Sequence, residues 1–285
     1  MDRKRTLSGV PLIFAVVSAV LFGSSDFCAA RAATSTPAVT VTRSAVLVSM
    51  VLSPVLLVVD WRWIWRDVTL GLVSGLTMTL GLLLLYRGYA VARMGIVAPM
   101  SSVLLAAVPV VIDLARGDAP SALGLVGMGI GLAALVLTSY TPGGRGSVRL
   151  GAVLGVASGL LFGTAFTLMG EVSKESGLVP VLCQRLVGFA LLMAMAAVIP
   201  APFLARGARA RGYVLAAGTL AIAAIASLQI AFQQGSSGPV AVAASQFATV
   251  AVVLAVLFGG ERMRWWQASG VAATAVGVSL MALGG

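Results

Sequence analysis

The most constraining feature of the sequence is a succession of continuous apolar runs, each long enough to cross a lipid bilayer. A spanning helix needs about 20 mostly apolar residues. With 59% hydrophobic and 10% charged residues, the chain is far less charged than soluble domains, which carry about 25% charged residues. The runs do not alternate in polarity as the strands of a membrane β-barrel do. The sequence therefore predicts an all-α integral membrane protein.

Charged and turn-rich segments divide the apolar runs into ten predicted transmembrane helices. Tryptophan and arginine together mark the headgroup level, and they occur at residues 61–66 and again at residues 264–266. The basic residues 3–5 precede an apolar run of full spanning length, which is interpreted as the first helix and not as a signal peptide. The predicted helices run from Pro11 to Cys28, Val39 to Val59, Val68 to Tyr89, Ile96 to Leu114, Leu123 to Tyr140, Leu150 to Met169, Val179 to Ile199, Tyr213 to Phe232, Pro239 to Phe258 and Trp266 to Leu283.

Two stretches of the chain follow the same pattern. Gly95–Asp118 and Gly238–Glu261 each open on glycine, continue with apolar residues and close on a glycine followed by an acid, at an offset of 143 positions. The triplet Leu-Phe-Gly at 21–23 recurs at 161–163, and Arg43 matches Arg185 at an offset of 142. These matches, in the same order, predict an internal repeat.

The repeat determines the predicted architecture. Residues 1–140 form the first five-helix unit, residues 141–149 a turn-rich linker, and residues 150–285 the second unit. Because five is odd, the second unit enters the membrane from the opposite side, which gives two inverted repeats. Secondary transporters are commonly built this way, with the substrate site between the repeats near the middle of the membrane.

The orientation follows from the first half of the chain. Its basic residues lie six to three in favour of a cytoplasmic N-terminus, whereas the whole chain counts seven to ten against it. Since the first helix usually sets the orientation, we predict that both termini are cytoplasmic.

Charged residues close to the predicted membrane core are candidates for gating. Polar groups in the membrane are costly and tend to be functional. Asp26 at the end of helix 1 could pair with Arg43 in helix 2, and Glu171 at the end of helix 6 could pair with Arg185 in helix 7. Each pair could either gate the passage of a solute or simply fasten adjacent helices, and the arginines could also extend to the interface.

Neutral polar side chains in the predicted helices are candidates for a substrate cavity. They could contact a polar or zwitterionic solute, or form hydrogen bonds between helices. Gln229 and Gln233 are four residues apart and so share one helix face. The candidates are Ser24, Thr79, Tyr86, Ser101, Ser102, Gln229, Gln233, Ser245 and Gln246. Glycines at spacing four, as at 151, 155, 159 and 163, predict close helix packing and could also form a sliding surface.

Several functional classes lack support in the sequence. There is no histidine, no phosphate-binding loop, no nucleophile motif and no cluster of metal ligands, so neither an enzyme nor a metal or other cofactor is predicted. The net charge of +10 is attributed to loops facing anionic lipid and not to nucleic-acid binding. Cys28 and Cys183 lie in apolar segments and are interpreted as packing residues.

The chain resembles the EamA-type transporters of the drug/metabolite transporter superfamily over nearly its whole length. The matching segments are residues 21–27 (LFGSSDF), 85–90 (LYRGYA), 95–99 (GIVAP) and 260–263 (GERM). The first half has Gly117-Asp118 where this family usually has Gly-Glu. The resemblance implies ten helices in two inverted repeats, cytoplasmic termini, a central cavity lined by helices 1, 3, 4, 6, 8 and 9, and export of amino acids, other metabolites or drugs.

We therefore expect a secondary transporter that exports a small metabolite, such as an amino acid or a similar amphipathic solute, across the inner membrane by alternating access. Coupling to protons and facilitated diffusion remain equally open. The expected partners are the solute and the lipid bilayer, and the chain is expected to be a monomer or a homodimer. The alternative is a membrane scaffold or assembly protein that transports nothing.

Overall fold

The computed structural model describes residues 9–58, 61–91, 94–118, 120–140, 147–196, 201–259 and 263–284. These residues form α-helices joined by short connections, and no β-strand occurs among them. The α-helices are α1 (Gly9–Ala33), α2 (Ala38–Leu52), α3 (Trp65–Val91), α4 (Met94–Ala115), α5 (Ala122–Ser139), α6 (Val148–Gly170), α7 (Val179–Ala196), α8 (Ala208–Gln234), α9 (Ser237–Ser245), α10 (Phe247–Gly259) and α11 (Trp265–Leu283).

The described part of the chain contains nine helical segments that are long and apolar enough to cross a membrane. One of them, Ser237–Phe258, comprises α9 and α10 together. The apolar part of α7, Val179–Met195, is shorter than the others, and the predicted end of this helix at Ile199 lies outside the described residues. The structure therefore confirms an all-helical membrane protein.

Three predicted helices differ from the structure in their course. Helix α1 continues to Ala33, so Asp26 lies well inside it, and the prediction that this residue ends the helix was wrong. After Leu52 the chain tightens into a 3₁₀ helix, Ser53–Val58, which contains Pro54, a residue that cannot donate the usual backbone hydrogen bond. The predicted helix 9 is broken at Gln246, whose backbone N–H donates to the carbonyls of Ala243 and Ala244.

Glycines bring the inner helices into close contact. Helix α6 packs on α3 and α4, α1 packs on α8, α9 and α10, and α5 pairs with α11. A Cβ on Gly159 would lie 2.8 Å from the Ser101 carbonyl oxygen, and one on Gly155 would lie 2.9 Å from the carbonyl oxygen of Val97. The glycine stripe of α6 is therefore a packing surface against the backbone of α4, as small residues are in membrane bundles.

The two halves of the chain make the same hydrogen bond between their inner helices. Ser18 on α1 donates to the Ala224 carbonyl on α8 at 2.9 Å. Ser158 on α6 donates to the Gly81 carbonyl on α3, also at 2.9 Å. The donors are 140 positions apart and the acceptors 143 positions apart, which are the offsets found in the sequence.

A second contact recurs with the same spacing. A Cβ on Gly23 of α1 would meet the side chain of Val250 on α10, and a Cβ on Gly163 of α6 would meet that of Val108 on α4. The offsets are 140 for the glycines and 142 for the valines. In both cases a glycine of one half of the chain opens a groove for a helix of the other half, α10 on α1 and α4 on α6.

The outer helices α2 and α7 are related by a different offset. Gly218 on α8 approaches the Ala45 carbonyl, and Gly75 on α3 approaches the Gln184 carbonyl. The glycines are 143 positions apart, but the residues they approach are 139 apart. Arg43 on α2 and Arg185 on α7, which the sequence analysis matched at an offset of 142, therefore do not occupy equivalent positions. They differ by three residues from the offset of 139 that the structure gives for these two helices.

Candidate functional site

A small cavity lies at the centre of the bundle between α1, α3, α6, α7 and α8. The space open to the centre of a water molecule is about 10 Å³, which is close to the minimum needed to hold one water. Helix α7 contributes to the lining through Gln184, whereas α4 and α9 do not, contrary to the expectation from the family resemblance. The lining residues are Phe22, Met78, Phe166, Met169, Gln184, Ile225, Leu228, Gln229 and Phe232.

Two glutamines provide the polar groups of this cavity. The Gln229 side chain is only 1% exposed, and its Nε2 donates to the Met169 carbonyl at 3.2 Å. Because that carbonyl can only accept, the amide orientation is fixed, and Gln229 Oε1 is a buried acceptor without a partner among the described residues. Gln184 Nε2, in contrast, donates to Ser74 Oγ at 2.7 Å. The acceptor on Gln229 is therefore available to a solute or a water.

One face of α1 shows that the bundle is open at one end. Residues at helical spacing of three, four and seven line the inward face of this helix. They are buried in the first half of the helix and exposed in the second, with Phe22 at the transition. The buried residues are Leu12, Ala15 and Ala19, and the exposed ones are Asp26, Ala30 and Ala33. The interior therefore opens towards the end of the bundle where α1 finishes, called here the open end.

The opposite end of the bundle, where α1 begins, is closed by aromatic packing and hydrogen bonds; it is called here the sealed end. The Phe166 and Phe232 rings meet edge to face, with centroids 5.6 Å apart. One turn beyond Gln229, the Gln233 amide donates to the carbonyls of Ser173 at 3.0 Å and Gly177 at 2.8 Å. Gln233 thus ties α8 to the connection between α6 and α7 and closes the cavity at this end.

Two buried carboxylates hold the sealed end together. Asp67 at the start of α3 accepts hydrogen bonds from the Ser173 N–H, at 3.0 Å, and from the hydroxyls of Ser173 and Ser176. Asp113 near the end of α4 accepts from the Gly238 N–H at 2.6 Å. Each acid therefore joins two different helix ends. The N–H groups at the start of α9 carry partial positive charge, which favours the Asp113 carboxylate.

Surface ion pairs add to this seal. Glu171 at the end of α6 pairs with Arg116, and its second oxygen lies 3.8 Å from a guanidinium nitrogen of Arg66. The Arg116 guanidinium donates a hydrogen bond to the Glu171 carboxylate, and this bond raises the pKa of Arg116. The predicted partner of Glu171 was Arg185, and this prediction was wrong, because Glu171 lies at the sealed end while Arg185 donates to Gln184 Oε1 at 3.4 Å.

The second predicted ion pair, between Asp26 and Arg43, is not formed either. Arg43 is 2% exposed and donates to the carbonyls of Met195 at 3.3 Å and Ala201 at 3.4 Å. It therefore stabilises the C-terminal end of α7, where helix carbonyls lack intrahelical partners. Asp26 lies on the inward stripe of α1, and no ion pair to it occurs in the part of the chain that the structure describes.

The other polar candidates on α3 and α4 have protein partners. Thr79 donates to the Gly75 carbonyl at 2.8 Å, within its own helix. Ser101 lies 3.0 Å from Ser158 Oγ on α6, and Ser102 donates to the Ala98 carbonyl. These side chains therefore fasten or bend helices, and none of them lines the cavity.

Gln246 lies behind the cavity, against the outer helices. Its Nε2 donates to the Gly131 carbonyl on α5 at 3.1 Å, and its Oε1 accepts from Thr274 on α11 at 2.9 Å. The adjacent Ser245 donates to the Val242 carbonyl at 2.8 Å. The break between α9 and α10 is thus stabilised by a polar network that contacts the α5–α11 pair.

Two further candidates remain predictions. Ser24 lies on the face of α1 that carries the exposed residues Val17 and Val20, away from the inward stripe. The side chain of Tyr86 lies outside the described residues. Of the predicted cavity residues, the structure places Gln229 in the cavity lining and Gln233 one turn away in the seal.

The sequence analysis missed most of the lining and both buried acids. Phenylalanine and methionine look the same in a hydropathy pattern whether they face lipid or a cavity. Gln184 could have been found, since it is a neutral polar residue in an apolar helix. Asp67 directly precedes the predicted start of the third helix at Val68, so the sequence does not indicate that it is buried. In the described residues no cluster of three or more metal-ligating side chains occurs.

A bundle of membrane-length helices around a central cavity, sealed at one end and open at the other, has the architecture of a membrane transport protein. Residues 149–283 match the model of the EamA-like transporter family. This match confirms, for the second half of the chain, the resemblance found in the sequence. No curated protein matches the chain. A solved structure described as "Crystal structure of protein" is 17% identical to this chain. The match covers 97% of this chain and 97% of the chain in that structure, with a TM-score of 0.75. The two chains therefore share the fold.

Proposed function

We propose that the chain is a secondary transporter that exports a small metabolite, such as an amino acid, a similar amphipathic solute or a drug, across the inner membrane. The observation that carries this proposal is the inward stripe of α1, which is buried as far as Ala19 and exposed from Asp26 onward. A passage that is closed at one end and open at the other is one of the two states required for alternating access. A scaffold has no need of such a passage.

The proposed mechanism depends on two inverted five-helix repeats, residues 1–140 and 150–285, joined by the linker 141–149. The recurring serine and glycine contacts between inner helices support this division. The family match also begins at residue 149, so it covers about one repeat. With cytoplasmic termini, the sealed end faces the cytoplasm and the open end faces away from it. Rocking of one repeat against the other would then exchange the two ends.

The chemistry of the passage suits an amphipathic solute. Phe22, Phe166 and Phe232 offer apolar surface, and Gln229 Oε1 offers an acceptor to a donor group of the solute. Asp26, one turn from Phe22 on the same face of α1, offers a negative charge to an ammonium group. Because the cavity has room for only about one water molecule, binding a solute requires the passage to widen.

The proposal is tested by measuring uptake of labelled amino acids into liposomes that contain the purified protein. We expect saturable flux above that of empty liposomes. Leu228→Trp should reduce the flux at least tenfold, because the larger side chain fills the cavity. The matched control is Leu215→Trp, at a position of the same helix that is exposed, and it should transport normally. Absence of flux for every solute tested would favour the scaffold, and unchanged flux in Leu228→Trp would show that the solute takes another path.

A further inference from the structure

The charge of Asp26 is placed asymmetrically between the two halves of the bundle. The offset of 140 that relates the inner helices α1 and α6 pairs Asp26 with Phe166. Phe166 is 6% exposed and packs edge to face against Phe232 at the sealed end. Asp26 is exposed at the open end. One half thus places an aromatic ring, and the other a carboxylate, at equivalent positions on their inward faces.

This asymmetry has a consequence for alternating access. If the two repeats exchange roles, the open end closes and Asp26 enters an environment like the one that Phe166 occupies now. An ionised carboxylate without a partner is very costly to bury, and such a group is neutralised or paired instead. Closure of the open end is therefore opposed for as long as Asp26 carries its charge.

No described residue forms an ion pair with the Asp26 carboxylate. Arg43 donates to backbone carbonyls at the end of α7, Arg211 donates to the Ala205 carbonyl, and Arg31 and Arg209 both interact with the Tyr213 hydroxyl. The described parts of α9, α10 and α11 carry no charged or titratable side chain. Apart from Asp26, the titratable and charged groups on α1 and on the helices packed against it are Cys28, Arg31, Arg43, Arg209, Arg211 and Tyr213.

We propose that Asp26 is the coupling site of the transporter: the open end closes only when its carboxylate binds a positive charge, either a proton or the ammonium group of a solute. This inference rests on the proposed function, which it deepens. In the proton case Asp26 takes up one proton from the open side on closure and releases it at the other side. In the ammonium case the carboxylate and the solute enter the closed state as a neutral pair.

The inference can be tested without knowing the natural solute, by measuring which end of the bundle is accessible. Cys28 and Cys183 are replaced by alanine, and a single reporter cysteine is introduced on the inward stripe of α1. Ala30→Cys reports on the open end, and Ala15→Cys, now buried, reports on the opening of the sealed end. The labelling rate with a membrane-impermeant maleimide is measured in the full-length protein, from pH 5 to pH 8. Each rate is divided by that of the Asp26→Asn protein at the same pH, which removes the pH dependence of the thiol itself.

We expect acid to slow labelling of Ala30→Cys and to accelerate labelling of Ala15→Cys. Uptake of one proton changes the ratio of closed to open protein by up to tenfold per pH unit. Asp26→Glu, which retains a carboxylate, should keep this response. If the charge comes from a solute instead, phenethylamine should produce the same change at constant pH, whereas the uncharged 2-phenylethanol should not.

Two results would overturn the inference. One is a chain with Asp26 whose labelling responds neither to pH nor to phenethylamine. The other is an Asp26→Asn chain in which the ratio of labelling at Ala30→Cys to labelling at Ala15→Cys changes with pH as strongly as in the chain with Asp26. Because accessibility is read separately from flux, failure of the coupling site is distinguishable from failure of transport. A lack of flux for all solutes refutes the proposed function, whereas normal flux with an unresponsive Asp26 refutes only the coupling.

Discussion

Asp67 is the residue whose removal should most strongly open the sealed end. Its side chain is fully buried, and it accepts three hydrogen bonds from the backbone and hydroxyls of residues 173 and 176. Hydrogen bonds to a charged group contribute about 1.5–3 kcal/mol each. Even the lower value gives about 4.5 kcal/mol for three hydrogen bonds. The hydroxyl oxygens of Ser173 and Ser176 lie 3.2 Å apart, so in the absence of Asp67 they can form a hydrogen bond with each other. This bond offsets part of the loss, and we expect Asp67→Ala to cost about 3 kcal/mol.

This cost should appear as a shift in which end of the bundle is closed. If the three hydrogen bonds exist only while the end is sealed, losing about 3 kcal/mol changes the ratio of sealed to open protein by about 100-fold. Asp67→Asn keeps an acceptor but loses the charge, and charge-assisted hydrogen bonds are about twice as strong as neutral ones. We therefore expect an intermediate shift, of about tenfold, for Asp67→Asn.

The assay is maleimide labelling of a cysteine at Ala15, together with the melting temperature of the purified protein. Glu171→Gln is the matched control, because its carboxylate lies at the same end but pairs with exposed arginines. Such pairs contribute about 0–1 kcal/mol, so this variant should label at most about fivefold faster. If Glu171→Gln accelerated labelling as much as Asp67→Ala, burial would not be what makes Asp67 important.

Two further predictions concern packing and topology. Gly127→Ala should destabilise the protein by about 1–3 kcal/mol, because a Cβ there would lie 2.8 Å from the Gly277 carbonyl oxygen on α11. The matched control is Gly129→Ala, where a Cβ would meet open space, and it should leave the melting temperature unchanged. Tags on the two chain ends should be accessible on the same face of the membrane, since an even number of crossings is proposed, and tags on opposite faces would contradict the inverted repeats.

The helical spans and the repeat offsets could be predicted because both depend only on the order of residues along the chain. Hydropathy reports the transfer of each segment into lipid, so apolar runs directly give the spans. The offsets of 140 and 143 came from Leu-Phe-Gly and the glycine-acid pairs, and the Ser18 and Ser158 hydrogen bonds recur at those same offsets. Gln229 was found for a similar reason, as a polar residue deep in an apolar helix.

The partners of the charged residues could not be predicted, because they depend on which helix ends meet in space. Glu171 pairs with Arg66 and Arg116, which are far from it in sequence and lie at the ends of two other helices. Hydropathy also fails to separate cavity from lipid. Since lipid tails are as apolar as a protein core, Phe166 in the lining and Phe258 at an exposed position look alike in the sequence.

The ion pair of the sealed end has a counterpart at the open end, with one sign reversed. Offsets of 140 and 143 relate Glu171 to Arg31 and Arg66 to Arg209. Arg31 and Arg209 both approach the Tyr213 hydroxyl, so two positive charges meet where the sealed end has an ion pair. Like charges at this position oppose closure, which agrees with the open state of this end. The sealed end is therefore stabilised by charge in a way that the open end is not.

Reversing the charge of Arg31 should therefore favour closure of the open end. Arg31→Glu would recreate the ion pair with Arg209, for which we expect about 0.5–1 kcal/mol, or a two- to fivefold slower labelling of a cysteine at Ala30. Arg31→Gln removes the repulsion without adding an attraction, so it should produce a smaller change. If Arg31→Glu and Arg31→Gln label equally fast, or if Arg209→Glu fails to produce the same slowing, the two ends are not related by the proposed inversion at these positions.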